Sequence, residues 1–337
     1  MILRKYWKPI LFVSLLLAAN IFAGNSERVE KFYSNGVYPV IVMVFQYLLG
    51  WIPFSIGDLF YLTIIGGSTY GLIRFFRGLR KAECKWKHVL KGVSRLAYAI
   101  CVLWIWFQVA WGFNYNRESI PKRYQLERSP VRDSEIDSFA VMMLDQVQRT
   151  AAHRGSDSSL NRKALAKEKD TKVKSSLFGV IGNYMGYSGY YNPFTGEAQI
   201  NTHMPAFTLP FTAAHEAAHQ LGHAKESDAN FIGFLTARES NDSALLYSAH
   251  LEMFLYAHAA IRHKDSTRAK QLFEALPAAA KRDIDSYRAF LKKYQGPIDQ
   301  ATTWFYTRFL RFNNQPEGMR SYDRGMVYIM RWISKKS

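Results

Sequence analysis

The chain of 337 residues is long enough for one large domain or two ordinary ones, and 48% of its residues are hydrophobic. The net charge is +17, and the densest cluster of basic residues lies between two hydrophobic segments. Membrane topology explains this cluster better than nucleic-acid binding does, so we expect no nucleic-acid partner. Both cysteines, Cys84 and Cys101, lie in the apolar N-terminal part, which excludes a disulfide framework or a cysteine metal site from the remainder.

The composition divides the chain near residue 113. Residues 1–113 hold 13 of the 44 Lys and Arg and only 4 of the 27 acids, within long apolar runs. Residues 114–337 have the composition of a soluble domain. We therefore predict a membrane α-helical region at 1–113, with membrane lipids as partners, and a separate soluble domain at 114–337; the sequence does not indicate an oligomeric state.

Three apolar runs, at about 6–23, 56–76 and 96–113, are predicted to cross the membrane. The run at 40–51 is shorter than a span and predicts an interfacial helix, with a fourth span as the alternative. Basic residues crowd the N-terminus and the connection between the second and third spans, so both belong in the cytoplasm. Three crossings then place the soluble domain on the extracytoplasmic side.

The soluble domain is predicted to be mainly α, an α+β fold with a small sheet. Apolar residues at helical spacing predict helices at 133–152, 244–262, 266–276, 277–294, 298–312 and 322–333. One strand is predicted from alternating residues at Glu197, Ala198, Gln199, Ile200 and Asn201. As an edge strand beside a metal it would hold an extended peptide substrate by main-chain pairing; the alternative is an ordinary sheet strand.

The strongest signal for chemistry is an H-E-x-x-H motif formed by His215, Glu216 and His219, in an alanine-rich helix that begins after Pro210. Two histidines four residues apart share one helix face, so their ring nitrogens can converge on one cation while Glu216 projects beside it. With one zinc ion bound, Glu216 would act as general base toward water and as general acid toward the leaving amine. The motif predicts a zinc metallopeptidase that acts on a peptide or protein.

The third metal ligand must come from the residues after the motif helix. Gly222 ends that helix, and the next candidates are His223, Glu226 and Asp228. A metzincin would carry its third ligand at the position of Lys225, which cannot bind a metal as a cation, so that family is excluded. The residues by themselves leave the three candidates open.

The run ESDANF, which starts at Glu226, resembles the E-x-x-A-N/D segment of glutamate-ligand zinc peptidases, including the CAAX prenyl endopeptidases and the ImmA-like peptidases. The resemblance implies a zincin-like domain in which Glu226 is the third ligand and Asn230 orients a ligating histidine. Six residues separate His219 from Glu226, fewer than in those families, so the turn at Gly222 must be tight.

Five longer stretches are also distinctive: YSNGVYP from Tyr33, IPFSIGD from Ile52, GYSGYYNPFTGEAQIN from Gly186, HEAAHQLGHAKESDANFIGFL from His215 and SYDRGMVYI from Ser321. Together they resemble an uncharacterised bacterial family of three-pass membrane proteins, known only as a domain of unknown function (DUF thirty-eight ten). The resemblance implies the architecture, and a location in a bacterial inner membrane, more than it implies an activity.

Two residues of the last predicted helix, Tyr322 and Arg324, are candidates for the hydrogen bond that stabilises a tetrahedral oxyanion in many zinc peptidases. Two alternatives to a peptidase stay open: a non-enzymatic membrane protein whose metal site only joins two helices, and a zinc amidase that acts on the cell envelope. A structural site would close with a fourth protein ligand such as His223, whereas a hydrolase keeps one position for water.

Overall fold

The structure is a computed structural model that describes residues 2–81, 83–127, 129–152, 172–318 and 321–336. Side chains are described for all of these except residues 2–10, 321 and 322. The described chain is mostly helical and contains one small sheet. It divides into two compact units, the first formed by Met1–Arg117 with Pro193–Gly196 and the second by Glu118–Asn192 with Glu197–Ser337.

The first unit contains the helices α1 (Ile2–Ala23), α2 (Ser26–Leu49), α3 (Ile56–Lys81) and α4 (Lys85–Ala110). Among the described residues, α2, α3 and α4 are each long and apolar enough to cross a membrane. The described apolar part of α1 is shorter, and the span predicted at 6–23 begins among residues whose side chains lie outside the described part. These helices confirm the prediction of a membrane protein.

Helix α2 contacts the C-terminal part of α4 at two points. The Tyr33 hydroxyl donates to the Val109 carbonyl oxygen at 2.9 Å, and the ring centroids of Phe45 and Trp106 are 6.4 Å apart. Helix α2 contains the run at 40–51 and is itself long and apolar enough to cross a membrane, so the interfacial helix and the fourth span both stay predictions.

Polar and aromatic contacts complete the first unit. Arg117, whose side chain is 3% exposed, pairs with Glu30 of α2 at 2.8 Å, as a buried cation requires. The turn Pro193–Gly196 belongs to this unit because the Phe194 ring stacks on Phe60 with centroids 5.0 Å apart. The first unit therefore contains one short segment from far along the chain.

The second unit is mostly helical, which confirms the helices predicted there. Its described helices are α5 (Ile120–Arg123), α6 (Asp133–Ala151), α7 (Gly179–Met185), α8 (Leu209–Gln220), α9 (Glu226–Glu239), α10 (Ser243–Arg262), α11 (Ser266–Glu274), α12 (Ala278–Tyr294), α13 (Pro297–Phe312) and α14 (Ser321–Lys336). The main apolar core lies where α6 packs on α10, with Phe139, Met143 and Val147 at four-residue spacing on one face of α6. Each such buried side chain contributes about 1.5–3 kcal/mol.

The sheet of the second unit consists of β1 (Val173–Ser175), β2 (Gly189–Asn192) and β3 (Glu197–Ile200) in the order β1–β3–β2. Strand β3 pairs in parallel with β1 and antiparallel with β2. The prediction that residues 197–201 form an edge strand for substrate is therefore wrong, because the main chain of a central strand is paired on both sides. An alternating sequence pattern indicates which face of a strand is buried, but it does not indicate how many strands pair with it.

The sheet packs directly on the motif helix. Ala198 and Ile200 of β3 share a buried apolar cluster with Ala213 and Ala217 of α8. Because alanine is small, the helix lies close beneath the sheet and is buried along its whole length. This packing brings the H-E-x-x-H motif into the interior of the second unit.

Candidate metal centre

Helix α8 begins and ends at residues that suit those positions. Pro210 lies in its first turn, where a missing backbone N–H breaks no helical hydrogen bond. At its other end Gly222 has φ 85°, the left-handed conformation that glycine adopts most easily. The N–H of Gly222 bonds to the His219 carbonyl at 2.8 Å and the N–H of His223 to the Ala218 carbonyl at 3.1 Å. This pair of bonds is a Schellman turn, which lets α9 begin at Glu226.

His215, His219 and Glu226 converge on one point. Nε2 of His215 lies 3.1 Å from Oε2 of Glu226, and Nε2 of His219 lies 3.4 Å from the same oxygen. All three side chains are buried, and their ligand-type atoms lie within 4.8 Å of one another. Within the part of the chain that the structure describes, this is the one group of three such side chains that could hold a metal ion.

Hydrogen bonds behind the rings determine which nitrogen of each histidine faces the centre. Nδ1 of His215 lies 2.7 Å from Asn230 Oδ1, and Nδ1 of His219 lies 2.7 Å from the His223 carbonyl oxygen. Since carbonyl oxygens only accept, each Nδ1 donates its hydrogen and each neutral ring presents the Nε2 lone pair to Glu226. Three acceptors facing one another are favourable only with a cation or a proton between them, so this donor set fits a metal ion.

The amide of Asn230 is itself held in place. It hydrogen-bonds to Tyr256, which in turn hydrogen-bonds to Glu252 one helical turn earlier on α10. Burial raises the pKa of Tyr256 well above its ordinary value, so the phenol keeps its proton and can donate to Glu252. The Asn230 nitrogen then donates to the phenol oxygen, which leaves the Asn230 oxygen for His215.

Both carboxylate oxygens and the backbone N–H of Glu226 have partners. The Tyr306 hydroxyl of α13 donates to its Oε1 at 2.7 Å, and its backbone N–H donates to Gln315 Oε1 at 3.0 Å. When the centre holds a proton instead of a cation, burial acts to raise the pKa of Glu226, but the charge of protonated His219 and hydrogen bonds from the histidine rings hold it well below its usual range. Tyr306 and Gln315 lie 80 and 89 positions away along the chain, and no local pattern in the sequence marks them.

Glu216 lies beside the three ligand-type residues with one oxygen unused. It is 4% exposed, and within the described structure its Oε2 has no hydrogen-bond partner. Burial raises the pKa of Glu216 to about 8; His215 acts to lower it and Glu226 to raise it. Strand β2 passes close by, since a Cβ on Gly189 would lie 2.8 Å from Glu216 Oε1. A buried carboxylate oxygen that has no partner in the described structure is typical of a functional group, because a structural carboxylate would be paired.

The alternative third ligands and the oxyanion candidates from the sequence are not among the three converging side chains. His223 contributes its carbonyl to His219, and Asp228 Oδ1 accepts a hydrogen bond from Ser227 at 3.2 Å. The side chain of Arg324 is 53% exposed and pairs with Glu317 at 2.5 Å. The side chain of Tyr322 lies outside the described residues.

Comparison with known proteins identifies the family of the chain. The model of the family described as "Protein of unknown function (DUF3810)" matches residues 33–330, which include α8, α9 and the three converging side chains. No curated protein and no solved structure matches the chain. The family resemblance seen in the five sequence stretches is thereby confirmed. The chain belongs to the DUF3810 family of proteins of unknown function.

Proposed function

We propose that the chain is a membrane-anchored zinc-dependent metallopeptidase. The observation that carries the proposal is the convergence of His215, His219 and Glu226 beside Glu216, a buried carboxylate whose Oε2 makes no hydrogen bond in the described structure. Two histidine nitrogens and one carboxylate oxygen are the donor set of a family of catalytic zinc sites, in which the fourth position is kept for water. A structural site would have no use for Glu216.

In this proposal each residue of the centre has a distinct role. Zinc, when bound, lowers the pKa of water and polarises a substrate carbonyl. Glu216 accepts the proton of the attacking water and gives it to the leaving amine. Asn230 and the His223 carbonyl keep the two imidazole rings in position, and Tyr306 does the same for Glu226.

The sheet supports a peptide as the substrate. Strand β2, at one edge of the described sheet, passes beside Glu216 at Gly189. An extended peptide can add to an edge strand by main-chain hydrogen bonds, which would lay its scissile bond near the metal. A zinc amidase of the cell envelope would use the same centre but gain nothing from this strand.

We also propose that the second unit faces the extracytoplasmic side of a bacterial inner membrane. Eight Lys and Arg lie between positions 74 and 95, around the connection between α3 and α4. Connections of this composition stay in the cytoplasm, so α4 would carry the chain to the other side, whichever of the earlier helices cross.

The substitution Glu216→Gln in the full-length protein tests the mechanism. The amide keeps the size of the side chain but cannot accept a proton, so we expect hydrolysis of a peptide library to fall by about 10²–10⁴-fold. The zinc content, measured by elemental mass spectrometry, should stay at one ion per chain because Glu216 is not a ligand.

The matched control is Glu239→Gln at an exposed position of α9, which should leave hydrolysis and zinc unchanged. Full activity in Glu216→Gln would refute the mechanism. A fourth protein ligand in the zinc X-ray absorption spectrum would favour the structural site instead.

A further inference from the structure

A surface of the second unit that the proposed chemistry does not use is unusually apolar. Of the eleven large apolar side chains that are exposed in the described part of this unit, nine lie in residues 177–184 and 291–312. The two segments adjoin, because the rings of Tyr184 and Tyr294 are in contact with centroids 5.0 Å apart. We call this the α7–α13 surface, and its most exposed members are Ile181, Ile298, Trp304, Phe305 and Phe312.

Helix α13 has a buried inner face and an exposed outer face. Tyr306 reaches inward to Glu226, and Leu310 is fully buried. Ile298, Phe305 and Phe312 recur at intervals of seven residues, or two helical turns, and therefore share one outer face. Phe305 is 66% exposed and Phe312 is 82% exposed. The outer face is not required for the metal centre, and its aromatic residues need another explanation.

The border of this surface is basic. The Arg308 guanidinium lies 3.4 Å from the centroid of the Trp304 ring, and Arg311 is also exposed. Residues 291–312 contain four Lys or Arg and one acid, Asp299. Exposed Trp and Phe bordered by cations are typical of helices that lie in the headgroup region of a bilayer, with the rings at the acyl boundary and the cations on lipid phosphates.

We infer that the α7–α13 surface docks on the anionic lipid headgroups of the membrane that anchors the chain. Apolar patches of this kind on a single chain mark contact with a membrane or with another protein. Two observations favour the membrane: candidate spans in the same chain keep the surface at high effective concentration near a bilayer, and the excess of cations complements anionic lipid. The inference is independent of the peptidase activity.

Lipid contact can be measured with a fluorescent probe on the full-length chain. Cys84 and Cys101 are changed to Ser, a single cysteine is introduced by Phe305→Cys, and the labelled protein is reconstituted in vesicles of equal parts phosphatidylglycerol and phosphatidylcholine. The matched control is Val141→Cys on α6, a 43% exposed apolar position outside the surface. Quenching by a lipid-borne nitroxide is compared with quenching by aqueous iodide.

We expect the lipid quencher to act about threefold or more strongly at position 305 than at position 141, with the reverse order for iodide. The lipid quenching at position 305 should fall in vesicles of phosphatidylcholine alone. Equal accessibility of both positions to iodide would overturn the inference. So would protection of position 305 from both quenchers, which would point to a protein partner or a second copy. If Phe305→Cys does not fold, Phe312→Cys serves as the probe site.

Discussion

Glu216 and Glu226 are two buried carboxylates on either side of one tight turn, and their surroundings are opposite. Glu226 faces both histidine rings, accepts a hydrogen bond from Tyr306 and donates its backbone N–H to Gln315. Glu216 has an oxygen without a partner in the described structure. Accordingly the pKa of Glu226 is held well below its usual range, whereas burial raises that of Glu216 to about 8. The contrast separates a carboxylate that holds a position from one that is available to react.

The largest effect is expected from Glu226→Gln, which makes Glu226 as uncharged as a glutamine while leaving Glu216 unchanged. The amide carries no negative charge and is a poor zinc ligand, so we expect zinc affinity to fall by more than about 100-fold. Competition with a chelating dye measures the affinity, and Glu216→Gln serves as the comparison because it should bind zinc like the parent. Unchanged zinc affinity in Glu226→Gln would exclude Glu226 as a ligand.

His250 shows what burial does to a titratable side chain away from the converging groups. It is 7% exposed, and burial, followed by the nearby charge of Arg238, lowers its pKa from 6.5 to about 4. Between those two pH values the unfolded chain binds this proton and the folded chain does not. The free energy of unfolding should therefore fall as the pH drops from 6.5 to 4, by up to about 3 kcal/mol from this group.

Thermal unfolding of metal-free protein across this pH range checks the expectation. His250→Gln cannot titrate, so the part of the pH slope that His250 causes should disappear, whatever the substitution does to stability at neutral pH. An identical slope in the variant and the parent would show that His250 takes up its proton in the folded state.

A smaller effect is expected from Tyr306→Phe, which removes one hydrogen bond to Glu226 and leaves the ring in place. We expect zinc affinity to fall by about 10-fold, the lower end for partners that orient a ligand. Tyr294→Phe on the neighbouring helix α12 is the matched control and should not change zinc affinity. Unchanged zinc affinity combined with lost hydrolysis would mean that Tyr306 acts on the substrate and not on Glu226.

Local features of this protein could be predicted from the sequence because their causes lie within a few residues. The spacing of His215 and His219 puts them on one helix face, and a glycine at position 222 permits the left-handed turn that starts α9. Apolar runs of sufficient length likewise predict α3 and α4, since length and composition are the properties by which a span is recognised. The resemblance that pointed to Glu226 and Asn230 also rests on a contiguous run.

Contacts between distant parts of the chain follow from the folded structure and not from local sequence. Pairing with β1 makes β3 a central strand, so the edge beside Glu216 belongs to β2. Tyr306 and Gln315 reach Glu226 from far along the chain. The predicted helices, the turn and the motif follow from local sequence, whereas the strand order and the partners of each carboxylate depend on which segments meet in the packed unit.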